Sequence, residues 1–200
     1  MRVAVAVSGR GSNLEALFAR LGNGDEARIV LVLSDRPDAP ALDRARERNV
    51  AALALRDWRS ASEWLAALEA HSVDLLVLAG FLKLVPSEVI ARYRGRIINV
   101  HPALLPAFGG KGMYGIRVHE AVLRSGAAET GCTVHLVDLQ YDHGPIIAQR
   151  CVPVLPQDTA ETLAHRVQSA ERELYPEIIQ SIVDRGLAWL RSAARAQDRH

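Results

Sequence analysis

Hydrophobic and polar positions follow two patterns that take turns along the first half of the chain. Short, near-continuous runs of Val, Ile, Leu and Ala are typical of strands that are covered on both faces. Five such runs predict strands at Arg2–Val7, Ile29–Leu33, Ala51–Leu55, Leu75–Leu78 and Ile97–Val100. Between them, apolar residues at helical spacing predict helices at Asn13–Leu21, Ala41–Arg48, Ala61–His71 and Ser87–Tyr93. This alternation predicts an α/β fold with a doubly wound, mostly parallel sheet and helices on both of its faces.

The second half of the chain has a less regular pattern. We expect a helix at Val118–Arg124, strands at Thr133–Leu139 and Ile146–Val152 on either side of a turn at Gln140–Pro145, and a long helix from about Asp158. Pro176 is expected to kink or restart the long helix, because proline has no N–H to donate. The polar tail, about residues 190–200, is expected to be frayed.

Composition and charge narrow the class of protein. An apolar content of 49% in 200 residues, without a repeat or a linker-like stretch, predicts one domain spanning residues 1–200. The 24 basic and 23 acidic residues are spread along the chain, which argues against a nucleic-acid or anionic membrane partner. No segment has the pattern of a signal peptide or a membrane span, so we predict a cytoplasmic protein. Cys132 and Cys151 are expected to be buried, reduced thiols.

The segment SGRGSN, Ser8 to Asn13, lies between the first strand and the first helix. Ligands of doubly wound sheets bind beyond the carboxyl ends of the strands, where this segment is placed. Its glycines allow a close backbone approach, and Ser12 and Asn13 are good helix caps whose neighbouring amides can face an anion. Leu14 stands where a dinucleotide motif has its third glycine, and no P-loop lysine follows. The segment therefore predicts a phosphate site, with an ordinary capped turn as the alternative.

A second candidate site is the segment INVHP, which ends the fifth predicted strand. Side chains alternate along a strand, so Asn99 and His101 are expected to share a face, and Pro102 ends the ladder there. Asp142 lies 41 residues after His101, in the segment DLQYDHGP, and can reach it only through tertiary folding. A carboxylate beside the imidazole would favour the charged ring, and an amide beside that ring would stabilise an oxyanion during acyl transfer. The alternative is a structural histidine and a turn asparagine.

Five segments together carry a resemblance to a known family: VAVSGRGSNLEALF, VLAGFLKLV, NVHPALLPAF, GCTVHLVDLQYDHGPII and RVQSAERELYP. Over nearly the whole chain the sequence resembles the phosphoribosylglycinamide formyltransferases, folate-dependent enzymes of purine (IMP) synthesis. The resemblance implies direct transfer of a formyl group from the co-substrate 10-formyltetrahydrofolate to the amino group of glycinamide ribonucleotide. It implies small-molecule substrates, no metal ion, and a monomer or homodimer.

The resemblance also implies roles for individual residues. The catalytic residues would be Asn99, His101 and Asp142. The ribonucleotide's phosphate and phosphoribosyl end would be held by Gly11, Ser12, Asn13, Gln168 and Glu171. The folate would contact Leu82, Lys83, Leu84, Val85, Asn99, Asp138, Leu139, Gln140, Tyr141 and Asp142.

The sequence departs from the family pattern at a few positions. Lys83 stands where an arginine is expected in many relatives, and the segment AFGGKGMYGIRVHEAV is longer and richer in glycine. Arg59 is not assigned a role, and structural roles are favoured for His119 and His135. The histidines show no metal-ligand spacing, so no metal site is predicted.

Three alternative functions stay open at this point. Formyltetrahydrofolate deformylase, a hydrolase, and methionyl-tRNA formyltransferase share the Asn-x-His and Asp pattern, but each is expected to carry a further domain for which 200 residues leave no room. A non-catalytic nucleotide- or folate-binding protein is the third alternative, because a fold does not determine function.

Overall fold

A computed structural model describes residues 1–21, 26–190 and 192 of the chain. The strands are β1 (Arg2–Val7), β2 (Arg28–Ser34), β3 (Ala51–Ala54), β4 (Leu75–Leu78), β5 (Ile97–His101), β6 (Glu129–Leu136) and β7 (Ile146–Pro153). The helices are α1 (Ser12–Leu21), α2 (Pro40–Glu47), α3 (Ala61–Ala70), α4 (Ser87–Arg92), α5 (Ile116–Ser125) and α6 (Ala160–Arg185).

The strands form a single sheet in the order β3-β2-β1-β4-β5-β6-β7. The first five strands are parallel, and β6 runs antiparallel to both of its neighbours. The strand order reverses between β1 and β4, which creates a crevice at their carboxyl ends. The predicted doubly wound, mostly parallel sheet is confirmed.

Helices cover both faces of the sheet because side chains of the central strands alternate between two apolar clusters. On one face, Val5 of β1 packs in a cluster with Leu14 of α1 and Tyr175 of α6. On the other face, Ala6 of β1 lies in a cluster with Trp64 of α3. Burial on both faces is why the strands are continuously apolar instead of alternating with polar residues.

The buried Tyr175 side chain fixes α6 against two strands of the sheet, β4 and β5. Its hydroxyl lies 3.0 Å from the carbonyl oxygen of Leu78 in β4 and 3.1 Å from that of Ile98 in β5. Burial raises the pKa of this phenol well above its ordinary value, so the hydroxyl is a donor at every relevant pH. The contact brings the preceding turn of α6, with Glu171, close to the carboxyl end of β5, and both line the same cleft.

Several predictions from the sequence differ from the structure. The strand predicted to end at Leu139 ends at Leu136, because Asp138 accepts a hydrogen bond from the N–H of Gln140 at 2.8 Å and starts a turn. Pro176 does not restart the long helix: it lies buried inside α6, where tertiary packing offsets the lost hydrogen bond. The predicted frayed tail, RSAARAQDRH, lies almost wholly outside the described residues and stays a prediction.

The two thiols also differ from each other. Cys132 is buried in the core, and that burial raises its pKa to about 12. Cys151, which was predicted to be buried, is exposed, because it points away from the core on the edge strand β7. Both are free cysteines.

Candidate functional site

A cleft of about 760 Å³ lies beyond the carboxyl ends of β1, β4 and β5. Its volume falls within the range of roughly 300–1,000 Å³ that is typical of small-molecule sites. The lining comes mainly from residues 9–13, 78–85, 99–102, 110–117 and 140–142, and from Ala164, Gln168 and Glu171 of α6. The cleft thus joins segments that are far apart in the sequence at the point where the strand order reverses.

The end of β5 places two polar side chains in this cleft. Ile98 and Val100 point into the core, so Asn99 and His101 share the opposite face. His101 is only 3% exposed. The turn that follows is held by Thr133 of β6, whose hydroxyl donates to the carbonyl of Ala103 at 2.6 Å.

Asp142 meets His101 through the fold. Its Oδ2 lies 3.4 Å from Nδ1 of His101 and accepts from the N–H of Gly110 at 3.0 Å. The backbone of Asp142 is left-handed, with φ of 54°, a conformation that Asp tolerates better than most residues. This turn conformation directs the carboxylate back toward the end of β5.

The electrostatics keep Asp142 ionised. Burial raises the pKa of this carboxyl, but the neighbouring His101 and His135 rings and the hydrogen bond from the N–H of Gly110 lower it more. The net result is a pKa well below the ordinary range, so a buried negative charge faces the His101 ring at neutral pH.

The second ring nitrogen of His101 also contacts an acceptor. Nε2 lies 2.8 Å from the carbonyl oxygen of Phe108. A carbonyl can only accept, so Nε2 carries a proton, while Nδ1 faces a carboxylate. Only the imidazolium form satisfies both contacts. A ligand oxygen that is to receive the Nε2 proton must therefore displace the Phe108 carbonyl.

His135 of β6 contacts two of the predicted catalytic residues. Its Nε2 lies 3.0 Å from Nδ2 of Asn99 and 3.6 Å from Oδ1 of Asp142. Its Nδ1 lies 2.8 Å from the carbonyl oxygen of Leu136. A structural role was predicted for this residue; alternation along β6 indicates which face of the sheet His135 lies on, but not that it lies opposite Asn99.

His119 of α5 is a second buried histidine that lines the cleft. Burial and the neighbouring charge of His101 lower its pKa to about 4, so the ring is neutral at neutral pH. Its Nδ1 is buried and has no hydrogen-bond partner among the described residues. No local sequence signal distinguished this histidine from an ordinary helix residue.

The predicted phosphate segment lies at the start of α1. Gly11 adopts φ of +78°, and a Cβ there would lie 2.8 Å from Cβ of Ala41, so the turn requires glycine. Asn13 does not cap the helix as predicted, since its Nδ2 donates to Oε2 of Glu171 at 2.8 Å. The first amides of α1 have no intrahelical acceptors and are free to bind an anion.

Buried polar atoms mark the α6 side of this region. Oδ1 of Asn13 is buried without a hydrogen-bond partner among the described residues. Burial raises the pKa of Glu171, which faces Asn13. Gln168, one turn earlier on α6, also lines the cleft.

The predicted folate residues divide into two groups. Most line the cleft: Leu82, Lys83, Leu84, Val85, Asn99, Gln140, Tyr141 and Asp142. The other two do not: Leu139 is 65% exposed, and Asp138 binds Nδ1 of His143 at 2.7 Å. Arg59 lies outside the lining, stacked on the Trp58 ring at 4.4 Å.

Neither a metal site nor a membrane-spanning helix is found in the described ranges 1–21, 26–190 and 192. Within them, no group of three or more His, Cys, Asp and Glu side chains is placed to hold a metal ion. No helix in these ranges is both long and apolar enough to cross a membrane.

Comparisons with known proteins place the chain in a family. The sequence model described as "Formyl transferase" matches residues 1–179, and the chain belongs to this family. It is 41% identical over 196 residues to the chloroplastic phosphoribosylglycinamide formyltransferase of Arabidopsis thaliana, covering 94% of this chain and 67% of the relative. It is 35% identical over 189 residues to the phosphoribosylglycinamide formyltransferase of Bacillus subtilis, covering 91% of this chain and 94% of that protein.

Other relatives are longer, and solved structures agree with the fold. The chain spans 62% of the Vigna unguiculata formyltransferase and 18% of the human trifunctional purine biosynthetic protein adenosine-3. A crystal structure of phosphoribosylglycinamide formyltransferase from Anaplasma phagocytophilum superimposes with a TM-score of 0.84 at 37% identity, covering 92% of this chain and 87% of that chain. The resemblance found in the sequence is confirmed.

Proposed function

We propose that this formyl transferase moves the formyl group of 10-formyltetrahydrofolate to the amino group of glycinamide ribonucleotide, a step of purine synthesis. The observation that carries the proposal is the contact of Asp142 with His101 beside Asn99, in a cleft that also reaches the start of α1. The names of the relatives agree with this reaction. The single domain, the cytoplasmic location and the monomeric or homodimeric state stay predictions.

The ribonucleotide would bind on the α1 side of the cleft. Its phosphate would accept hydrogen bonds from the amides around Gly11, Ser12 and Asn13, where the positive end of the α1 dipole lies. Gln168 and Glu171 would hold the phosphoribosyl end, and the unpartnered Oδ1 of Asn13 would accept from a substrate donor.

The formyl folate would bind on the opposite side. Residues 82–85 after β4 and residues 140–142 supply an apolar wall and backbone groups for a flat heterocycle. Asp138 and Leu139, which lie outside the cleft lining, would contact the folate only if this turn rearranges on binding. The formyl carbon would then lie beside Asn99 and His101.

The chemistry follows from the groups at the end of β5. The substrate amine forms a bond to the formyl carbon, and the carbonyl becomes a C–O⁻ group. N–H groups of Asn99 and His101 would stabilise that oxyanion, with His101 kept charged by Asp142. The C–N10 bond then breaks as the oxyanion returns to a carbonyl and N10 receives a proton from His101. The proton lost by the attacking amine would pass to His101 and restore its charge.

The proposal is tested by incubating the protein with 10-formyltetrahydrofolate, with and without glycinamide ribonucleotide. Turnover that requires the ribonucleotide, and that falls at least about a hundredfold in His101→Ala and Asp142→Asn, supports a transferase. Matched controls are His71→Ala and Asp43→Asn, two positions outside the cleft lining. Equal loss of formyl folate without the ribonucleotide indicates a hydrolase, and no turnover by a folded protein indicates a binding protein.

A further inference from the structure

The register of the sheet places His135 directly opposite Asn99. β5 and β6 are antiparallel, and these two residues form a cross-strand pair. On its other side, the β6–β7 ladder is irregular between Val134 and His135. Such irregularities re-aim side chains, and they are frequent beside active sites. His135 is 2% exposed and lines the cleft.

The hydrogen bonds of His135 determine which of its ring nitrogens accepts. The carbonyl of Leu136, 2.8 Å from Nδ1, can only accept, so Nδ1 carries the proton. In the neutral ring, Nε2 is then an acceptor. Its nearest neighbour is Nδ2 of Asn99, at 3.0 Å. Oδ1 of Asp142 lies 3.6 Å away, beyond the range of a hydrogen bond.

This arrangement selects one orientation of the Asn99 amide. A flip of the amide by 180° would bring Oδ1 against the lone pair of Nε2, so the histidine favours the orientation with nitrogen toward it. Nδ2 carries two protons, and only one is used by His135. The other stays available to an acceptor in the cleft.

We infer that His135 is a positioning residue that fixes the Asn99 amide and so keeps its N–H, not its oxygen, available to the reacting carbonyl. The inference rests on the proposed function, in which Asn99 stabilises the oxyanion. Without His135 the amide is free to turn, and its oxygen then repels the negative charge that develops on the formyl oxygen. In this role His135 acts through Asn99 and not directly on a substrate.

Kinetics of two His135 variants test this role. His135→Leu removes the acceptor, and we expect kcat to fall about tenfold or more, up to the roughly 10²–10³ that the loss of an oxyanion donor costs. KM for both substrates should change little, because the interaction acts on the transition state. His135→Gln supplies a carbonyl acceptor near the place of Nε2 and should recover most of kcat, with His71→Gln as a control outside the cleft lining.

A double-mutant cycle separates positioning from structural support. In an Asn99→Ala background there is no amide to orient, so adding His135→Leu should leave kcat nearly unchanged. Equal losses in the wild-type and Asn99→Ala backgrounds would overturn the inference. An unchanged kcat in folded His135→Leu protein would overturn it as well. If His135→Leu does not fold, the same cycle is run with His135→Ala, and the comparison with His135→Gln decides.

An NMR measurement tests the amide orientation without turnover. In ¹⁵N-labelled protein we expect a scalar coupling through the hydrogen bond between Nδ2 of Asn99 and Nε2 of His135, and its absence in His135→Gln. A protonated Nε2 at neutral pH, or an amide whose oxygen faces the ring, would overturn the inference. Absence of formyl transfer by the wild-type protein would instead contradict the proposed function, and the NMR result would still decide the orientation.

Discussion

Replacing Asp142 with Asn removes one charge and almost no volume from the site. The carboxylate lies 3.4 Å from the His101 ring, and both side chains are largely buried. At that distance, with an effective dielectric constant of about 20, Coulomb attraction is roughly 5 kcal/mol. This figure is an upper bound, because part of the attraction offsets the cost of burying the two groups.

The rate effect follows from that bound. A barrier increase of about 5 kcal/mol would correspond to a rate lower by a factor of roughly 5 × 10³, at 1.36 kcal/mol for each factor of ten. Removal of a hydrogen bond to a charged group costs about 1.5–3 kcal/mol, or roughly 10–10². We therefore expect kcat of Asp142→Asn to be about 10²–10³ lower than that of the wild type at neutral pH.

The assay is steady-state turnover of 10-formyltetrahydrofolate at saturating glycinamide ribonucleotide, after circular dichroism has shown that the variant is folded. Asp43→Asn on the surface of α2 is the control and should keep the wild-type rate. An Asp142→Asn protein with wild-type kcat would refute the reasoning that this carboxylate keeps His101 charged.

Three further predictions concern stability. The pKa of Asp142 is lower in the folded protein than in the unfolded chain, so its contribution to the free energy of unfolding is present above about pH 4 and is lost as the pH falls further. In urea unfolding, the wild type should be more stable than Asp142→Asn at pH 6, and this difference should shrink in acid. A difference that does not change with pH would contradict the prediction. Gly11→Ala places a Cβ 2.8 Å from Cβ of Ala41 at a residue with positive φ. The variant should lower the free energy of unfolding by about 1–3 kcal/mol and raise KM for the ribonucleotide, and an unchanged melting temperature would count against this prediction. Tyr175→Phe leaves two buried carbonyls of β4 and β5 without this donor and should cost about 1–3 kcal/mol in thermal unfolding, whereas a loss below about 0.5 kcal/mol would show that water or repacking replaces the hydroxyl.

The strands and helices could be predicted from the sequence wherever local pattern and burial agree. Arg2–Val7 and Leu75–Leu78 have the predicted bounds because they are buried on both faces and end at turn residues. The predicted helices and strands were wrong where tertiary packing, and not the local pattern, determines the structure. Pro176 stays within α6, because the core holds that helix in place.

The site could be predicted only in part. Strand alternation alone placed Asn99 and His101 on one face, but no local pattern determines that Asp142 reaches them from a turn 41 residues away. Contacts set by strand register, such as that of His135 with Asn99, need the pairing of β5 with β6, which sequence periodicity does not give. The orientation of Asn13 toward Glu171 likewise depends on how α6 crosses the sheet.

The most direct test of the central claim is to follow the fate of the formyl carbon. The protein is mixed with 10-formyltetrahydrofolate labelled at that carbon and with unlabelled glycinamide ribonucleotide, and the label is measured in the ribonucleotide and in free formate. Direct attack by the amine, with Asn99, His101 and Asp142 at the reacting carbonyl, predicts that the label passes to the ribonucleotide without release as formate. Label recovered as formate at the same rate with and without the ribonucleotide would contradict the account.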